Sequence, residues 1–231
     1  FAKLFPAGED RLRIIPNGVA VPDDGAAQAA RAARAARRAG SGWPHLVCVG
    51  RLIGIKGQDQ LIDALPALRA RFPDLSLTLA GDGAARPDLE ARARRMDVGD
   101  AVRFAGVVSD IGAILARADL YVSTSHYEGL PMALLEAMAW GIPVVASDVP
   151  GNRDAVAPGE TGRSYRLNDV GDLVRQVTLA LEEPAAETMA ASGRGRVVAE
   201  NGAEAMTRRY RTLYEQVARR VEPGTRTAEL R

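Results

Sequence analysis

This chain is short of several things, and each shortage narrows what it can be. Its 231 residues include one cysteine, Cys48, set in an apolar strand-like run. One thiol makes no disulfide framework and points to a reducing compartment. With two histidines and that one cysteine, no clustered Cys/His ligand set for a metal can be read from the sequence. No apolar run approaches the ~18 residues of a membrane-spanning helix, and the first residues carry no signal-peptide pattern. An excess of one charge sign is also missing: 30 Lys and Arg stand against 29 Asp and Glu, a formal net charge of +1. That balance argues against wholesale nucleic-acid binding. Neither a Gly-x-Ser-x-Gly nucleophile elbow nor a phosphate-binding P-loop occurs, so hydrolase and NTPase readings fall away. There is no internal repeat.

What is present is a 47% hydrophobic composition, enough to fill one large domain or two small ones. Strand patterns at 45–49, 75–80, 101–105, 118–122, 143–146 and 163–165 alternate with helical ones at 58–72, 87–96, 111–117 and 152–157. Between the fourth and fifth strands a further helix is entered at Pro131 and stopped by Gly141 and Pro143. This alternation predicts a Rossmann-like, doubly wound parallel α/β sheet of about six strands, with ligands outside the carboxyl ends of the strands. Helices near 170–182, 185–200 and 203–220 follow, and 221–231 reads as a disordered tail. An Ala/Arg stretch at 26–40, with Arg31, Arg34, Arg37 and Arg38, lacks the large apolar face of an interfacial helix. It reads as a solvated surface helix or a loose linker.

The chemistry concentrates at strand ends. After the first strand, Gly50-Arg51-Leu52-Ile53-Gly54-Ile55-Lys56-Gly57 puts two cations on a glycine-rich loop. Gly81-Asp82-Gly83 with Arg86 imitates a dinucleotide fingerprint, but Arg86 stands where the third glycine belongs, so a tight turn is expected. After the fourth strand, the backbone N–H groups near Glu128, Gly129 and Leu130 open a helix and offer an anion site. Glu136 sits among Met132, Leu135, Ala137 and Trp140, so no face of its helix reads as solvated. A carboxylate there either meets a polar partner, such as a sugar cis-diol, or emerges at a domain rim.

Glu128 and Glu136 form an E-x7-E pair inside EGLPMALLEAMAWGIPVVAS. That stretch closely resembles the retaining, nucleotide-sugar-dependent glycosyltransferases of family 4, fold type GT-B. The resemblance implies that Ile15-Pro16-Asn17-Gly18-Val19 marks the passage from an acceptor-binding to a donor-binding domain. The chain would then be the donor half, with 1–22 a linker remnant, 23–200 the nucleotide-sugar domain, and 201–231 a C-terminal helix and tail. Its missing partner would be the N-terminal acceptor domain, which the last helix braces in the family, and without it the chain would be inactive. The implied activity is transfer of a sugar from a nucleoside diphosphate to a hydroxyl acceptor with retention, in polysaccharide or glycolipid synthesis. UDP- or GDP-sugar enters as substrate. No cofactor is implied, nor a metal, since the Asp-x-Asp of the other large glycosyltransferase fold is missing.

The same resemblance implies roles. Arg51 and Lys56 hold the donor diphosphate, backbone at Val107 meets the base, and Glu136 holds the ribose diol. Glu128 with the N–H groups of Gly129 and Leu130 holds the donor sugar or its phosphate, so Glu128, Arg51 and Lys56 form the catalytic set. Hydroxyls of Ser123, Thr124 and Ser125 could reach phosphate, whereas His126 is not expected as a base. The start of the next helix, Pro150-Gly151-Asn152-Arg153-Asp154, either touches phosphate or sugar or simply turns the chain. The expected location is cytoplasmic, free or peripherally on the inner face of the membrane. Rival readings are a non-catalytic nucleotide-sugar module and another GT-B enzyme, a sugar phosphorylase or a nucleotide-sugar epimerase.

Overall fold

The structure is a computed structural model and describes residues 13–38, 40 and 42–220. The tail expected at 221–231, and the part of the linker before residue 13, lie outside the described residues.

Six strands form one sheet: β1 (His45–Val49), β2 (Ser76–Ala80), β3 (Val102–Gly106), β4 (Leu120–Ser123), β5 (Val144–Ser147) and β6 (Arg163–Tyr165). Their order is β3-β2-β1-β4-β5-β6 and every pair is parallel. Parallel neighbours need crossovers, and these supply the helices α2 (Gln58–Arg71), α3 (Arg86–Arg95), α4 (Ile111–Leu115), α5 (Met132–Ala139) and α6 (Pro150–Ala155). α7 (Val170–Glu182), α8 (Ala185–Glu200) and α9 (Ala203–Arg220) follow β6, while α1 (Asp24–Arg37) precedes β1. Aspartates start three of them: Asp23, Asp110 and Asp169 accept from the backbone N–H groups of Ala26, Ala113 and Asp172.

Strand side chains alternate between two cores, as their period of two requires. Leu46, Leu77, Leu79, Leu120, Val122 and Val145 pack against α2 and α7 through Leu61, Leu65, Leu173 and Val177. Val47, Tyr121, Val144 and Ala146 face the other way, onto Leu134, Leu135 and Met138 of α5 and Val197 of α8. Buried on both faces, these strands read as continuous apolar runs. The order reverses at β1, which pairs with β2 on one side and β4 on the other, and an open α/β sheet takes its ligand at that point.

Three expectations change. The Ala/Arg stretch is a docked helix. Arg34 of α1 is 4% exposed, donating through Nη2 to the carbonyl of Gly141 at 2.8 Å, with Nε 3.0 Å from Glu187. Arg37 reaches the buried carboxylate of Asp119 at 2.7 Å. Second, α5 does have a half-exposed edge, made by Met132, Glu136 and Trp140 one turn apart. Third, α6 begins two residues before the expected 152–157, because Pro150 fits a first helical turn. The segment around Val19 is also tied to the far end of the chain. Its N–H donates to Asn201 at 2.8 Å, and its carbonyl accepts from Ala203 at 2.9 Å.

Candidate active site

The loops leaving β1 and β4 form the walls of a cleft of about 290 Å³ at the reversal point. Arg51, Lys56, Glu128 and Leu130 all line it, together with Gln58, Ser123, Thr124, Ser125 and the first turn of α5. Residues 72 positions apart thus share one site: Lys56 Nζ lies 2.6 Å from Glu128 Oε1. Arg51 is exposed and has no ion-pair partner among the described residues. α5 has no side-chain cap, and neither Gly129 nor Leu130 donates its N–H to a protein acceptor. Nothing lies within 4 Å of where a Cβ on Gly129 would sit, so a ligand can approach that backbone. One free guanidinium and one ammonium share the cleft with a single carboxylate and with the backbone of Leu130, whereas Gly129 does not line it. The arrangement suits a polyanion attached to a hydroxylated group.

The β1 loop is built to hold Lys56. Its tight turn (Gly54–Lys56) ends at Gly57 with φ +61, where a Cβ would lie 2.3 Å from the carbonyl of Thr124. Thr124 Oγ1 donates to the Lys56 carbonyl at 2.9 Å, and the His126 N–H donates to Ile55 at 2.8 Å. Below them the buried amide of Gln60 donates to Thr124 at 3.1 Å and accepts from the N–H of Asn168 at 3.0 Å. The Gly81 turn packs on the same loop, for at φ +139 a Cβ would fall 2.0 Å from the carbonyl of Gly50. Close backbone packing explains the glycines of that expected tight turn.

Other expected residues fall differently. The hydroxyls of Thr124 and Ser125 line the cleft and donate to the Lys56 carbonyl and to Glu128, whereas that of Ser123 makes no such bond among the described residues. The helix start at 150–154 is the first part of α6, and its Gly151 is buried, with a Cβ there meeting the Glu128 carbonyl at 2.3 Å. Glu136 lies outside the cleft lining, half-buried and with no side-chain hydrogen bond or ion pair among the described residues, and burial raises its carboxyl pKa above the ordinary value. Val107 is 85% exposed at the end of edge strand β3, also outside the cleft. Cys48 lines the cleft floor, its thiol pushed up to about 12, chiefly by burial, and so protonated. Among the described residues, no three His, Cys, Asp or Glu side chains converge as a metal site would require. Sequence reasoning missed Gln60 and Ser147, and it placed Asn152 in a candidate helix start without its buried role; only their polarity close to apolar runs could have signalled them.

Comparisons with known proteins agree with this fold. Residues 31–196 match the family model for glycosyl transferases group 1. The glycogen synthase of Mycobacterium tuberculosis is 38% identical over 186 residues, 80% of this chain and 43% of that protein. The GDP-mannose-dependent monoacylated alpha-(1-6)-phosphatidylinositol monomannoside mannosyltransferase of Corynebacterium glutamicum is 32% identical over 225 residues, 93% of this chain and 56% of that one. Among solved structures, sucrose-phosphate synthase from Thermosynechococcus elongatus superposes with a TM-score of 0.75 at 30% identity, covering 90% of this chain and 53% of that chain. Anabaena HepE in complex with UDP and glucose also reaches 0.75, at 22% identity over 88% of this chain and 57% of that one, a likeness of fold alone. The chain spans about half the length of the curated relatives it matches, 43% and 56% for the two named.

Proposed function

The chain belongs to the glycosyl transferases group 1 family, and from that premise we propose that it is the donor-binding half of a retaining GT-B glycosyltransferase. Its substrate is a nucleoside diphosphate sugar, a UDP- or GDP-sugar first, and a hydroxyl acceptor completes the reaction in polysaccharide or glycolipid synthesis. The observation that carries this reading is the convergence of Arg51, Lys56, Glu128 and Leu130 on one cleft at the β1/β4 reversal. The solved relative in complex with UDP and glucose supports the substrate class by analogy of fold.

When the bond from C1 to the diphosphate breaks, its electron pair leaves with the phosphate oxygen. The acceptor oxygen forms the new bond to C1, and its proton passes to the departing phosphate oxygen, which has gained the electron pair. Arg51 and Lys56 offset the negative charge developing on the leaving diphosphate. The N–H groups of Gly129 and Leu130 at the start of α5 add their dipoles to the same task. Glu128 accepts from a donor-sugar hydroxyl, and Glu136 receives the ribose diol at the rim. Val107 borders the base through its backbone.

The test is calorimetric titration with UDP, GDP, ADP, UDP-glucose, GDP-mannose and inorganic phosphate, each with and without chelator. At least one nucleoside diphosphate binds, chelator changes its affinity less than about tenfold, and Arg51→Ala and Lys56→Ala each weaken it by roughly tenfold or more. Binding of phosphate with no nucleotide binding, the behaviour of a phosphorylase, overturns the reading.

A further inference from the structure

Glu128 is held by two donors, and both use the same oxygen. Lys56 Nζ and Ser125 Oγ each lie 2.6 Å from Oε1, while Oε2 has no protein partner among the described residues. The two donors differ in what stands behind them. Lys56 is a flexible, partly exposed side chain. Ser125 is 3% exposed, and its carbonyl accepts from Ser147 Oγ at 2.6 Å. Ser147, wholly buried, accepts in turn from Nδ2 of the buried Asn152 at 3.0 Å, and the same nitrogen reaches the Ser147 carbonyl at 3.0 Å. Beside Asn152, Gly151 brings the backbone of α6 against the Glu128 carbonyl, with no space for a Cβ. A line of hydrogen bonds therefore runs from the interior, Asn152 to Ser147 to Ser125, and ends on the cleft carboxylate. Buried polar groups are costly unless bonded, and here the bonds are directed at one loop.

We propose that Asn152, Ser147 and Ser125 are positioning residues that keep Glu128 in place when Lys56 leaves it for the donor diphosphate, so that Oε2 is presented to a hydroxyl of the donor sugar. The inference rests on the donor reading of the cleft and adds a division of labour to it. Lys56 exchanges one anion for another, whereas Ser125 has no other partner to turn to. The line then matters to the sugar more than to the diphosphate.

The experiment compares affinity for a nucleoside diphosphate with affinity for its sugar, using UDP with UDP-glucose and GDP with GDP-mannose. It is run in the parent chain and in Glu128→Gln, Ser125→Ala, Ser147→Ala and the Ser125/Ser147 double variant, with thermal melts on each. The increment contributed by the sugar falls by about three- to tenfold in Ser125→Ala and in Ser147→Ala, as for loss of one hydrogen bond, with a smaller change for the bare diphosphate. The double variant loses less than the product of the two factors, because both act through one path. If Glu128→Gln abolishes the increment while both serine variants retain it, the positioning line is wrong and the donor reading stands. If Glu128→Gln also retains it, or no sugar adds affinity in the parent, Glu128 is not the sugar ligand and both fall. Equal losses for diphosphate and sugar nucleotide, accompanied by a lower melting temperature, would make the serines merely structural and overturn the proposal.

Discussion

Two side chains carry opposite burdens of burial. Glu136 is a carboxylate without a side-chain partner among the described residues, and desolvation raises its pKa. Such a group binds its proton more readily in the folded than in the unfolded chain. Stability therefore falls as pH rises from the ordinary carboxylate value through the raised one, and the penalty is fully present above the raised value. Glu136→Gln is expected to melt no lower than the parent at neutral pH, yet to bind nucleotide roughly ten- to a hundredfold more weakly if the carboxylate holds the ribose. A melt and a titration on the same variant check both halves; unchanged affinity removes Glu136 from the site. His45 runs the other way. Its Nε2 lies 2.9 Å from Thr78 Oγ1, and its pKa is lowered chiefly by burial, with the Arg37 and Arg117 cations pushing the same way and Arg117 C=O and Asp119 opposing. Here the unfolded chain binds the extra proton, so stability is steady above the free imidazole value of about 6.5 and declines on acidification below it. Melting scans from about pH 7 to about pH 5 should show that decline in the parent and a shallower one in His45→Gln.

At the scale of elements, α1 is where sequence and structure part. Ala and Arg at 26–40 favour a helix, and a helix forms; composition alone cannot say what it rests on, because its partners Asp119 and Glu187 are 82 and 153 residues from Arg37 and Arg34. Arg34→Met removes a buried guanidinium that joins α1 to the end of α5 and to α8, and should cost about 1.5–3 kcal/mol, the range for hydrogen bonds to charged groups. Gln28→Ala, an exposed α1 position with no side-chain hydrogen bond among the described residues, should stay within about 0.5 kcal/mol. Denaturant unfolding of the two variants makes the comparison, and equal costs would mean that α1 is not anchored through Arg34. The strands were far more legible. Residues 45–49 and 163–165 have the bounds expected from their apolar runs, and the others differ by one or two residues. Arg51, Lys56 and Glu128 were readable because each follows a strand. The buried links Gln60, Ser147 and Asn152 were not, since a polar residue next to an apolar run looks the same whether it faces water or a neighbouring loop.

For the molecule as a whole, the proposed function has this chain hold the donor alone. Ile14, Tyr214 and Val217 are exposed beside the α9 end of the domain, and the relatives extend well beyond the matched region. Holding both reactants in register can supply about 7–11 kcal/mol of barrier lowering. A chain that binds donor without placing an acceptor should therefore bind nucleotide sugar and transfer none of it at a measurable rate. Incubation with radiolabelled UDP-glucose or GDP-mannose and candidate acceptors tests this, and sustained transfer by the 231-residue chain would show that it holds an acceptor site of its own.

The sheet's reversal at β1 also has a kinetic meaning. The β1–β2 pairing joins segments about 30 positions apart, His45 opposite Ser76, whereas β1–β4 joins Leu46 to Leu120 and Val47 to Tyr121. Closing that longer loop is entropically costly before any contact rewards it. The two halves of the sheet can each gather around their own crossovers, but the seam between them waits for the most distant pairing. In refolding from denaturant, helical signal should recover ahead of nucleotide affinity, because the groove proposed to hold the diphosphate opens along the last join to close.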